Sequence, residues 1–173
     1  PRKNLILAIR GFIRFLEIFP EKSRDFKLVI VGKKGWNRED EALTKEIQKH
    51  SNYFYFTGYI PKSKIEQILI NSQALLMPSR YEGFGMPLTL AREFGIPIIT
   101  CVNSSLPESS GLNVTFVPVD SVDTIALALG QSVLIEKNLS LDNKLLDNLR
   151  EKTRQDWRNL LRNWIEILVS HQN

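Results

Sequence analysis

Cysteine and histidine are almost missing from this chain: Cys101 stands alone, and His50 and His171 are the only two histidines in 173 residues. One cysteine closes no internal disulfide, so the fold must rest on an apolar core, and a reducing cytoplasm suits it. Both histidines lie in polar stretches without a cysteine or paired carboxylate nearby, which argues against a histidine-based catalytic pair and against a metal site. No run approaches the roughly 20 apolar residues needed to span a bilayer. With 9 glycines and 8 prolines there is too little of either for a long disordered tract. Low-complexity segments and repeats at a solenoid period are lacking too. The positive charge does not gather: a formal net charge of +4 is spread along the chain without a helix-turn-helix, zinc or RNA-binding aromatic signature. It suits an anionic ligand, and nucleic acid is not expected as a partner.

What is present is the make-up of a globular protein, 43% hydrophobic and 24% charged. Residues 1–173 are enough for one domain with a full core and too few for two of ordinary size. Leu5, Ile9, Phe12, Leu16 and Phe19 recur at helical spacing and predict a helix over 4–19, closed by Pro20. A short apolar strand over 26–31 ends at Gly32 and precedes a polar helix over 39–50. The alternation continues with a strand over 52–57 and a helix over 63–71 that Ser63 and Glu66 open as a capping box. Further strands are expected over 74–77, 97–101 and 114–117, and further helices over 87–94 and 122–136. Apolar strands alternating with helices predict an α/β fold, a doubly wound parallel sheet with helices on both faces. In such folds ligands bind in loops beyond the carboxyl ends of the strands.

One loop stands out on that ground. Residues 78–87, PSRYEGFGMP, lie between an apolar strand and a helix start. Gly83 and Gly85 allow a sharp turn and a close approach of main-chain N–H groups to a ligand. Pro87 suits a first helical turn. A helix N-terminus with free N–H groups is a natural phosphate site, and a carboxylate beside it, Glu82, can accept hydrogen bonds from sugar hydroxyls. Two glycines and one acid, taken alone, make only a turn with a solvated carboxylate.

The company this loop keeps changes its weight. PSRYEGFGMP followed by Gly95, Pro97 and Ile98 resembles the signature of the C-terminal, donor-binding domain of family 4 retaining glycosyltransferases of the GT-B fold. Other matches follow in order: PRKN at 1–4, LVIVGKKG at 28–35, FTGYIP at 56–61, SLPESSG at 105–111, Asp120 to Asp123, and Trp157. The resemblance implies one Rossmann-like half of a two-domain enzyme. That enzyme would transfer a hexose from a UDP- or GDP-hexose to an acceptor hydroxyl with retention, without cofactor or metal, in glycan biosynthesis. Glu82 and Lys3 would be its catalytic residues, Lys3 facing the donor diphosphate in place of a metal. Gly83, Phe84, Gly85, Met86, Lys33, Tyr59, Ile60 and Glu93 would bind the donor. The acceptor, a glycan or a lipid-linked one, would be held by an N-terminal domain absent from this chain, and the fragment alone would not turn over.

One position departs from the pattern. The family has a second glutamate separated from the first by seven residues, which would put it at position 90, where this chain has Leu90. Glu93, one helical turn on, lies about 60° around and about 4.5 Å further along the axis, an imperfect replacement for a ribose ligand. Leu90 therefore supports an alternative, a degenerate, non-catalytic module kept for docking or scaffolding. A sugar-nucleotide epimerase would need an acid and histidine set not found here. Lys33 and Lys34 would form a positive rim or a solvated pair, and Glu108 would orient its loop. Trp157, Leu160, Leu161, Trp164, Ile165 and Leu168 form a helical stripe beside Arg150, Lys152, Arg154, Arg158 and Arg162. Such a helix suits an interface, or a peripheral contact with an anionic membrane at the inner face.

Overall fold

Parallel strands cannot be joined by tight turns, and here a helix makes each crossover. The computed structural model describes residues 2–32 and 41–134. Its elements are α1 (Leu5–Ile18), α2 (Pro20–Ser23), β1 (Leu28–Val31), α3 (Glu41–Lys49), β2 (Phe54–Gly58), α4 (Lys62–Ile70), β3 (Leu75–Met77), α5 (Met86–Glu93), β4 (Ile98–Cys101), α6 (Leu106–Ser110), β5 (Val114–Val117) and α7 (Val122–Leu134), with a 3-10 turn at Ser51–Tyr53 before β2. Among the described residues every ladder is parallel, and the strands fall into two groups, β1 beside β2 and β3-β4-β5. Helices α3, α5 and α6 link neighbouring strands within these groups. Lys33, Lys34 and the tryptophan stripe lie outside the described residues.

Burial explains the two groups. All four residues of β4 are buried, which requires cover on both faces. In β1, Leu28 and Ile30 pack into a second cluster with α1 and α3, while Val29 and Val31 are more exposed. Helices α1 and α7 tie the two cores together. Leu7, Ile125 and Ala128 belong to the cluster around β3 to β5, and Ile9, Phe12 and Ala126 to the cluster around β1 and β2. Their close approach depends on glycine. A Cβ on Gly11 would collide with the Ile125 side chain, and one on Gly130 with the Phe19 ring. Helix α1 is accordingly buried well beyond the stripe its spacing predicts, with Leu7, Ala8, Ile13 and Phe15 also covered.

One local expectation is corrected, and two short helices come in addition to those expected. Pro20 follows the end of α1 as expected, and it also occupies the first turn of α2, where its missing N–H costs nothing. The Ser63/Glu66 capping box does not form. Pro61 is the N-cap of α4 and makes the helix begin at Lys62, so Ser63 is already inside it and Glu66 pairs with Lys62 at 3.7 Å. Helix α6 was not expected, although Pro107 in its first turn and Gly111 at its end, with φ 75°, carry the usual start and stop signals.

Candidate functional site

The loop after β3 is held from both sides. At its end Gly85 has φ 73° and is the N-cap of α5. A Cβ there would be strained by that backbone and would stand 3.2 Å from Leu88 Cδ1, so glycine is required. On one side lies the start of the chain. The Arg80 amide donates to the Arg2 carbonyl at 2.8 Å. Asn4, buried and left-handed at φ 50°, donates through Nδ2 to the Val119 carbonyl at 2.8 Å and precedes α1. Asparagine tolerates that conformation better than most residues. These bonds fix Arg2 and Lys3 beside the glycine loop.

Glu82 is the meeting point. Its residue is 6% exposed, and its carboxylate accepts from Arg2 Nη1 at 2.6 Å and from Ser79 Oγ at 3.1 Å, with Lys3 Nζ at 3.2 Å. Burial alone would push its pKa up. The hydrogen bond and charge of Lys3, the Ser79 hydroxyl and the Arg2 charge outweigh burial and hold it below the ordinary carboxylate range. Glu82 is thus not a solvated acid at the loop mouth. Its carboxylate faces the basic pair, while Arg2 and Lys3 remain about half exposed. Lysine has three donors, so an ammonium bonded to Glu82 still offers others to a ligand.

The opposite side of the loop is held by residues 103–109. Ser104 Oγ accepts from the Glu82 amide at 3.0 Å, Ser105 Oγ donates to the Glu82 carbonyl at 2.9 Å, and Ser109 Oγ donates to the Phe84 carbonyl. Asn103 Nδ2 donates to the Ser79 carbonyl at 3.2 Å. Sequence reasoning missed Arg2, Ser79, Ser104, Ser105 and Ser109; the serine-rich run NSSLPESS was the visible signal.

Of the expected site residues, the structure brings Lys3, Glu82, Gly83, Phe84, Gly85 and Met86 together. Tyr81, Phe84 and Met86 expose their side chains around the loop. The amides of Gly83, Gly85 and Met86 make no hydrogen bond among the described residues. Tyr59, 85% exposed, and Ile60 follow the carboxyl end of β2. Glu93 ends α5, about 10 Å of helical rise from Met86. Leu90 packs against the core cluster around β3 to β5. Glu108 is exposed in the first turn of α6, where an acid complements the helix dipole. No helix among the described residues is long and apolar enough to cross a membrane.

Comparison with known proteins places the chain in a family. The chain is 29% identical over 136 residues to the O-antigen chain mannosyltransferase B of Escherichia coli, a match covering 77% of this chain and 34% of that protein. It therefore spans about a third of the length of that relative. Its fold is similar to the pneumococcal O-GlcNAc transferase GtfA in complex with UDP and GlcNAc, with a TM-score of 0.63 at 20% identity, covering 97% of this chain and 33% of the other. It is similar as well to the Anabaena protein HepE in complex with UDP-glucose, with a TM-score of 0.67 at 18% identity, covering 92% and 44%. The model of the glycosyl transferases group 1 family matches residues 2–159, and the chain belongs to that family.

Proposed function

We propose that this chain is the donor-binding part of a glycosyltransferase, which takes a UDP- or GDP-hexose and passes the hexosyl group to an acceptor hydroxyl with retention and without a metal. The observation that carries this reading is the convergence of Arg2 and Lys3 with the glycine loop and the α5 N-terminus on one exposed edge. Two cations, a helix dipole and amides of Gly83, Gly85 and Met86 without partners among the described residues make a strong anion-receiving set. As the glycosidic bond breaks, negative charge grows on the departing diphosphate. A fixed ammonium and oriented amides stabilise that charge more than the ground state, an effect worth about 3–4 kcal/mol per well-placed donor in dry sites. Glu82 fixes the direction of Lys3 and Arg2. The exposed faces of Tyr81, Phe84 and Met86 offer apolar surface to the rest of the donor.

The relative's name supports sugar transfer, and the complexes of the similar folds, one with UDP and GlcNAc and one with UDP-glucose, support a nucleotide diphosphate sugar. The acceptor, a glycan or lipid-linked molecule, belongs in this reading to a further domain, since the chain spans about a third of the mannosyltransferase. Glycan biosynthesis at the cytoplasmic face of a membrane is the proposed setting. Calorimetric titration of the folded chain with UDP, GDP and their hexose conjugates tests the proposal; saturable binding to at least one is expected, and no heat from any of them overturns it.

Leu90 favours a second reading, a non-catalytic module in which donor binding has been lost. Leu90 packs against the core, and Glu93 stands at the far end of α5. In that case the unmodified chain binds none of these nucleotides, and Leu90→Glu restores binding.

A further inference from the structure

Three hydroxyls from one segment reach across to the glycine loop, and each ends on its main chain. The pairs are separated by 22, 23 and 25 residues, so the contacts are set by tertiary structure. A trans peptide is planar, and the carbonyl of one residue points opposite to the amide of the next. Ser105 Oγ draws the Glu82 carbonyl towards itself, so the Gly83 amide in the same plane points the other way. Ser109 Oγ does the same with the Phe84 carbonyl and thereby directs the Gly85 amide. Ser104 Oγ takes up the Glu82 amide. Neither glycine amide has a partner among the described residues.

We infer that Ser105 and Ser109 are positioning residues that aim the Gly83 and Gly85 amides at the donor diphosphate, with Ser104 preventing the Glu82 amide from rotating into their place. The inference deepens the donor-binding reading and rests on it for the identity of the anion. The need for such a device follows from the glycines themselves. Residues without a Cβ allow the Glu82–Gly83 and Phe84–Gly85 planes to flip at little steric cost, and a flipped plane presents a carbonyl oxygen to the ligand. Two carbonyls directed at a diphosphate would repel it. Hydroxyl donors behind the loop penalise the flip by leaving themselves unpaired. Ser109 is buried at 6% exposure, where an unpaired hydroxyl is costly. The Ser109 Cβ lies 3.5 Å from where a Gly85 Cβ would stand, so the segment and the loop are in direct packing contact.

The test uses the 173-residue chain with Ser105→Ala, Ser109→Ala, the double variant, and Ser105→Thr as the conservative replacement that keeps the hydroxyl. Amide hydrogen exchange and backbone chemical shifts of Glu82 to Met86 are measured without ligand, and UDP, GDP and inorganic pyrophosphate are titrated in parallel. The double variant should change the Gly83 and Gly85 shifts, make the loop exchange faster while the β4 amides keep their protection, and bind the nucleotide or pyrophosphate about tenfold more weakly. Ser105→Thr should behave as the unmodified chain. Unchanged shifts and exchange in the double variant overturn the inference whatever binds. Altered shifts with undiminished affinity also overturn it, because the amides then do not serve the anion. Absence of binding to the unmodified chain defeats the donor reading and with it the diphosphate as target, while the exchange measurements still decide whether the serines hold the two peptide planes.

Discussion

The Arg2 guanidinium and the Glu82 carboxylate are 2.6 Å apart, although 80 residues separate them in the chain. This contact joins the segment before α1 to the loop before α5, and Lys3 joins the same carboxylate. An acid that would repel a diphosphate in an open cleft is thereby turned to the positioning of two cations. The arrangement leaves one net positive charge at the site before any ligand arrives.

Stability should depend on pH through Glu82. Its pKa in the folded chain lies below the unfolded value of about 4.3, so the folded state gains stability that is present above that value and is lost as pH falls through the lower, folded pKa. Thermal unfolding followed from pH 6 down to pH 3 should show a fall in Tm that Glu82→Gln reduces. An identical pH dependence in that variant would mean that the carboxylate is not held by its basic partners.

Lys3→Ala should separate binding from folding. The Lys3 ammonium is about half exposed, and a pair of that kind contributes less than about 1 kcal/mol to stability. A charge-assisted bond to a phosphate is worth about 1.5–3 kcal/mol, so affinity for UDP or GDP should fall by roughly ten- to a hundredfold with Tm almost unchanged. Calorimetry with a melting curve checks both, and the affinity of the unmodified chain should weaken as salt is raised.

Gly11→Ala should destabilise the chain even though alanine is the better helix former. The propensity gain is about 0.5–1 kcal/mol, against an overpacking cost of about 1–3 kcal/mol where the new methyl meets Ile125. A fall in Tm of several degrees is expected in thermal denaturation. An unchanged or raised Tm would show that α1 and α7 can separate without cost.

Cys101 should resist thiol reagents in the native chain. It is fully buried in β4, and burial pushes its pKa up beyond what the nearby Arg80 charge restores, with Asp120 raising it further. Labelling with a chromogenic disulfide should be slow in buffer and rapid in denaturant. Fast native labelling would reveal opening of the strand next to the glycine loop.

Much of the fold was legible because periodicity reports burial directly. The alternation of apolar strands with helices gave the parallel α/β class, and Val114–Val117 stands where it was expected. Helix α5 was placed within a residue at each end, since Gly85 and Pro87 mark a helix start by local chemistry. The capping box failed for an equally local reason: Pro61 takes the N-cap and the helix begins at Lys62, one residue early. Helix α6 escaped because five residues are too few to show a period. Gly83, Phe84, Gly85 and Met86 were named as candidates from a loop pattern that is continuous in sequence, and Lys3 from the separate stretch PRKN. Arg2 and the serines were not, because their role comes from contacts across 22 to 80 residues.

By itself the sequence determined the fold class and the family resemblance, and it singled out the glycine loop as the candidate site, all of which depend on residue type and spacing along short stretches. Tertiary structure alone decided which way that loop faces. The direction of the Glu82 carboxylate and of the two glycine amides depends on hydrogen bonds to residues brought near by the packing of distant segments, and glycine, having no side chain, carries no local preference that could reveal it.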